Sequence, residues 1–129
     1  MSNLIAPYIL CVDGDHAALM VRALLFSQAG YRVLTAMTAN DALRVFRLNP
    51  VDLVIIDLWQ PKSTQAEVAR EMKRIRPEVP IILLNGLLEL PSGFEQADLV
   101  LTKCITPPEF LAAVSRVIAQ SRPAGAEGE

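Results

Sequence analysis

The sequence predicts an α/β domain with a five-stranded parallel sheet and helices on both faces. Three observations carry this. Short strand-forming runs alternate with segments of helical periodicity along almost the whole chain. The connections between them are short, and parallel neighbours need a crossover helix between successive strands. The central run, Leu53-Val-Ile-Ile56, is apolar at successive positions, as a strand covered on both faces must be.

Taken in order, Tyr8-Ile-Leu-Cys-Val12 is the first strand and runs into Asp13-Gly14-Asp15. A helix follows from about His16 to Ala29, closed by Gly30 at the C′ position. Arg32 to Ala36 is a short second strand. Thr38-Ala-Asn-Asp41 opens the second helix as a capping box with Asp in place of Glu. That helix turns Ala42, Phe46 and Asn49 to one side, and Pro50 ends it. The third strand delivers Asp57 at its end, and Pro61 stops it. Thr64-Gln-Ala-Glu67 is a second capping box, whose helix carries Val68, Met72 and Ile75 at i, i+4 and i+7. Ile81 to Leu84 is strand four. Gly86, Pro91 and Gly93 interrupt the segment from Leu87 to Glu95, which predicts a short or distorted fourth helix. Leu99 to Leu101 is strand five. Pro107 opens a last helix with Phe110, Val114 and Val117 inward.

One domain, residues 1–120, accounts for the chain, with 121–129 a flexible tail or the start of a linker. Charged residues make up 20% and the net charge is −2, which argues against a nucleic-acid surface on this domain. No apolar run approaches the ~20 residues of a membrane span, and the first residues lack the charge and length of a signal peptide. Cys11 and Cys104 show no CxxC spacing, so both are read as buried reduced thiols of a cytoplasmic protein.

The strand order 2-1-3-4-5 suits this length and sets strands one and three side by side. In that order Asp13, Asp57 and Lys103 share the carboxyl edge of the sheet, where open parallel sheets bind ligands. Carboxylates, a lysine and short polar loops at one edge suit a hard divalent ion and a phosphoryl group. Mg²⁺ takes few carboxylates and keeps several waters. A carboxylate nucleophile there would form an aspartyl phosphate.

Ile9-Leu-Cys-Val-Asp13, Gly30-Tyr-Arg-Val33, Asp52-Leu-Val-Ile-Ile-Asp-Leu-Trp-Gln-Pro61, Pro80-Ile-Ile-Leu-Leu84, Ala97-Asp98 and Leu101-Thr-Lys103 stand in the order and spacing of the receiver domain of bacterial two-component response regulators. The chain resembles that family, the chemotaxis regulators included, over roughly Tyr8 to Ala119. The resemblance implies the flavodoxin-like receiver fold and phosphorelay signalling. By it, Asp57 is the phosphoacceptor served by a histidine kinase or a histidine phosphotransfer protein. Mg²⁺ is the implied cofactor, with Asp13, Asp57 and the backbone carbonyl of Trp59 as ligands and Asp15 as a further candidate. Lys103 contacts the phosphoryl group. Self-association is left open, and no membrane partner is expected. Such a domain is a signalling module rather than an enzyme, assisting only its own phosphorylation and dephosphorylation.

The chain departs from that pattern at the site. Gly14 stands where the family carries its second acid, a direct metal ligand. Its loss predicts Mg²⁺ binding weakened about tenfold or more. Asp15 falls on a third position whose competing role is N-cap of the first helix. Asn85 replaces the switch hydroxyl and can still donate to a phosphoryl oxygen. The aromatic switch position holds Val100, and Cys104 replaces a proline.

Two alternatives follow. A receiver with these departures can signal by protein contacts without phosphorylation. Ile9 to Asp15 is also similar to the strand-and-DxD start of haloacid-dehalogenase-type phosphatases, which would make Asp13 the nucleophile, although no cap or late acidic pair is visible. His16 reads as a solvent-facing first-turn residue. The run Arg70, Lys73, Arg74 and Arg76 is a solvated helix face paired with Glu67 and Glu71. In the first helix, Leu19, Met20, Val21, Leu24, Leu25 and Phe26 leave Arg22, Ser27 and Gln28 as the polar face, which predicts either a covered helix or a partner-docking one.

Overall fold

The computed structural model describes residues 5–57, 62–86 and 93–121, the side chains of 62–64 excepted. The elements are β1 (Tyr8–Val12), α1 (His16–Gln28), β2 (Arg32–Ala36), α2 (Ala39–Leu48), β3 (Leu53–Asp57), α3 (Lys62–Ile75), β4 (Ile81–Asn85), β5 (Leu99–Thr102) and α4 (Pro107–Ser121). All five strands run parallel in the order β2-β1-β3-β4-β5, as the sequence predicts.

Alternation along the strands builds two cores. Leu10, Val12, Val54, Ile56, Ile81 and Leu83 pack with Ala42 and Phe46 of α2 and Val68, Ala69 and Met72 of α3. Their neighbours Ile9, Cys11, Leu53, Ile55, Ile82 and Leu84 face the other way, onto Leu19 and Phe26 of α1 and Phe110, Val114, Val117 and Ile118 of α4. Every residue of β3 is buried, so the strand must be apolar throughout until Asp57. Phe26 meets Phe110 edge-to-face at 5.0 Å between ring centroids, which locks α1 to α4.

The helix ends follow local rules. Thr38 accepts the Asp41 amide at 3.1 Å, the cap its sequence predicts. After α1 the Gly30 amide bonds to the Ser27 carbonyl and the Tyr31 amide to the Phe26 carbonyl, a Schellman closure. Gly30 takes φ +100°, which a side chain would disfavour. Below the sheet, Asp52 accepts the Tyr8 amide and Asp98 accepts the Ile81 amide, both at 2.8 Å. These acids tie strand beginnings together and take no part at the opposite edge.

Three expectations change. The third helix begins at Lys62 rather than after Thr64, and Gln65 in its first turn is bonded to the Asp57 carbonyl. The expected fourth helix falls largely on residues 87–92, outside the described residues; Gly93 to Asp98 form turns around a buried Phe94. Cys104 is exposed, not buried, since β5 ends at Thr102 and the chain turns outward. The expected tail lies outside the described residues beyond Ser121. No helix among the described residues is long and apolar enough to cross a membrane.

Candidate functional site

β1 and β3 are adjacent, so their ends deliver Asp13 and Asp57 side by side at the carboxyl edge of the sheet. Both acids are buried, Asp13 at 4% exposure and Asp57 at 7%. β5 brings Lys103 to the same edge, where its amide bonds to the Asn85 carbonyl at 3.0 Å. The Lys103 Nζ lies 2.6 Å from Asp57 Oδ1. The convergence of Asp13, Asp57 and Lys103 expected from strand order is therefore present. The three line one cavity of about 700 Å³ with Gly14, Asp15, Ala18 and Met37.

Two residues that sequence reasoning did not assign to the site complete it. Arg22, expected on the polar face of α1, turns inward with its side chain only 13% exposed. Its Nη1 donates to Asp13 Oδ2 and its Nη2 to Asp57 Oδ2, each at 3.0 Å. The guanidinium thus bridges the two acids. A signal for this exists in the sequence, because Arg22 is i+3 from Leu19 and i−4 from Phe26, the two buried residues of α1. A cation within the buried stripe needs a buried anion, and Asp13 and Asp57 supply it. Gln65 is the second. Its Nε2 donates to the Asp57 carbonyl at 2.8 Å, and it is buried, so it holds the main chain behind the acid.

Every carboxylate oxygen of the pair has a donor. Asp13 Oδ1 accepts the Asp15 amide at 2.9 Å, Asp13 Oδ2 and Asp57 Oδ2 take Arg22, and Asp57 Oδ1 takes Lys103. Burial pushes the Asp57 carboxyl above its ordinary value, the Lys103 hydrogen bond opposes this, the Asp13 charge adds to it, and the charges of Lys103 and Arg22 oppose it. Burial also raises the Cys11 thiol to about 12, so it stays protonated beneath the site.

Asp15 is exposed, and its Oδ1 accepts the Ala17 and Ala18 amides at 3.0 and 3.3 Å. It caps α1, the competing role the sequence offered. Asn85 ends β4, one residue past the partner of Asp57. Val100 is half-buried against the α2 and α3 core. Trp59 lies outside the described residues. His16 is exposed, and Arg74 pairs with Glu71 as a solvated face would. Lys73, however, is largely covered and bonds to Asp98 and the Val79 carbonyl, and Arg76 turns in over the Phe46 ring, so the solvated reading fails at those two.

The expected Mg²⁺ does not fit this arrangement as it stands. Asp13 and Asp57 stand side by side, but the Arg22 guanidinium already holds one oxygen of each. Among the described residues no group of three or more His, Cys, Asp or Glu side chains is set to hold a metal ion.

Comparison with known proteins agrees with the geometry. Residues 9–115 match the response regulator receiver domain family. The transcriptional regulatory protein GlrR of Escherichia coli is 29% identical over 121 residues, covering 91% of this chain and 27% of that protein. The chain therefore spans about a quarter of that relative's length. The alkaline phosphatase synthesis transcriptional regulatory protein PhoP of Bacillus subtilis is 27% identical over 128 residues, 94% of this chain and 52% of that protein. A CheY-like receiver domain protein from Methanospirillum hungatei superimposes with a TM-score of 0.82 at 25% identity, covering 90% of this chain and 96% of that one.

Proposed function

The chain belongs to the response regulator receiver domain family of two-component signalling, and from that premise we propose that Asp57 is its phosphoacceptor. Receiver domains take a phosphoryl group from histidine kinases, act as signalling domains rather than enzymes in the usual sense, and generally hold Mg²⁺ at an acidic site. The observation that carries the Asp57 reading is a buried carboxylate at the end of an all-buried strand, within 2.6 Å of the Lys103 ammonium.

In the transfer, an Asp57 carboxylate oxygen attacks the phosphorus of a donor phosphohistidine. The O–P bond forms as the N–P bond breaks, and the electron pair leaves on the imidazole nitrogen. Lys103 moves from the carboxylate oxygen to the phosphoryl oxygens, whose charge it offsets. Gln65 keeps the Asp57 backbone in place while the side chain acquires its new group. Asn85, at the end of the neighbouring strand, supplies an amide donor where the family uses a hydroxyl. The donor is a histidine kinase or a histidine phosphotransfer protein, and the result is a changed affinity for a downstream partner. With Gly14 in place of a ligand acid, Asp13, Asp57 and the Trp59 carbonyl would be the groups left to hold Mg²⁺, which would offset the charge of the incoming phosphoryl group.

One test is incubation with a small phosphodonor, read by intact mass. A gain of one phosphoryl group in the native protein and none in Asp57→Asn supports the reading. A gain that survives Asp57→Asn overturns it. A second reading, signalling by protein contacts without phosphorylation, is favoured by the pairing of all four carboxylate oxygens. No mass gain of the native protein with a small phosphodonor selects it. The family assignment speaks against the alternative with Asp13 as a phosphatase nucleophile.

A further inference from the structure

We propose that Arg22 is the resident cation of this site and stands in place of a divalent ion between Asp13 and Asp57. The inference rests on reading Asp13 and Asp57 as the family's acidic site. Its content is the disagreement between that site and a divalent metal.

Geometry is the first ground. A guanidinium is planar and presents donors in a fixed fork, so one side chain can serve two carboxylates at once. Arg22 does so with equal contacts of 3.0 Å, and it is the element linking the ends of β1 and β3. A metal ion bound to Oδ2 of the same two acids would compete with Arg22 for those oxygens.

Charge is the second ground. Two carboxylates and two cations, Arg22 and Lys103, leave the cluster neutral. A divalent ion is drawn to uncompensated negative charge, and here Gly14 has removed one acid while Arg22 has covered the rest. Asp15 is drawn to the helix end instead, its Oδ1 accepting the Ala17 and Ala18 amides.

Anchoring is the third ground. Arg22 is held in the middle of α1 between Leu19 and Phe26, and Phe26 is clamped against Phe110. The side chain therefore approaches from a fixed backbone, with its stem against a second cavity lined by Val21, Leu25, Leu84 and Phe110. It is not a surface arginine that has swung in.

The test titrates Mg²⁺ alone into the native protein and Arg22→Met, with amide NMR shifts of Gly14, Asp15 and Asp57 as the readout. Methionine keeps the apolar stem and removes the charge. The expected result is weak binding by the native chain and a gain of about tenfold or more in Arg22→Met. A gain below about threefold, or tighter binding by the native chain, overturns the proposal.

Should Arg22→Met fail to fold, the native protein decides alone. Its Arg22 guanidinium resonances are expected to stay fixed through millimolar Mg²⁺, and their displacement at that concentration overturns the proposal. No phosphodonor is present in either measurement. Failure here is thus distinct from failure of Asp57 as acceptor, which is read by mass.

Discussion

Replacing Arg22 by methionine should destabilise the protein by an amount the site geometry sets. The guanidinium makes two contacts of 3.0 Å with acids that are 4% and 7% exposed. At an effective dielectric of about 20, unit charges ~4 Å apart attract by about 4 kcal/mol, so two such pairs give roughly 8 kcal/mol gross. Desolvation of the three ions offsets most of this at several kcal/mol per ion. What the substitution exposes is the uncompensated remainder, typically about 3–5 kcal/mol when one partner of a buried pair is removed. The acids border a cavity of about 700 Å³ that admits water, which brings the expectation to about 2–3 kcal/mol. For a domain of this size that is roughly 10 °C in melting temperature.

The deficit should also depend on pH with a definite sign. Arg22 is one of the charges that lower the Asp57 value, so its loss moves an already raised carboxyl further up. Protonating Asp57 relieves the uncompensated charge. The deficit is therefore largest above the variant's Asp57 value and shrinks as pH falls through it. Urea unfolding in the presence of a chelator, at about pH 8 and about pH 5, measures both effects. A loss below about 1 kcal/mol at the higher pH, or the same loss at both, would refute the reasoning.

Two more expectations rest on single residues. Because burial dominates at Asp57, its folded value lies above the unfolded one; its contribution to stability is present below the ordinary Asp value of about 3.9 and is lost as pH rises through the folded value. Asp57→Asn should accordingly melt above the native protein at neutral pH, with the gap closing in acid, and a lower melting temperature at neutral pH contradicts the assignment. The two thiols should separate cleanly with a soluble disulfide reagent. Cys104 is exposed and reacts in the native state, whereas Cys11 is buried, held near 12, and reacts only once the chain is unfolded. Fast native reaction of both thiols would contradict the burial of β1.

Much of this protein is legible in one dimension. The strand order came with the fold that length and resemblance implied. The alternation that splits Leu10 from Cys11 and Val54 from Ile55, and the Thr38 and Gly30 helix ends, are local or periodic properties. So are Asp57 at the end of the buried strand and Lys103 after β5, once parallel order is granted. The Asp15 cap was open between two roles because a short acid before a helix serves both, and only the Ala17 and Ala18 amides decide it. Cys104 is exposed against expectation because burial beside an apolar strand depends on where that strand stops, here at Thr102.

Arg22 marks the boundary most clearly. In α1 its spacing from Leu19 and Phe26 sets it on the buried stripe, but spacing along the helix does not name the acids that pair with it. Its true environment is made by residues nine and thirty-five positions away, which meet only when β1 and β3 pair beneath α1. Gln65 is similar, since a polar residue in a first helical turn gains its meaning from the Asp57 carbonyl behind it. The sequence by itself determined the fold, the location of the acidic edge and two of its acids, because hydrophobic period is written along the chain and length and resemblance implied the strand order. Which cation stands between those acids was decided only in three dimensions, because charge compensation in a buried site is settled by contact and not by spacing.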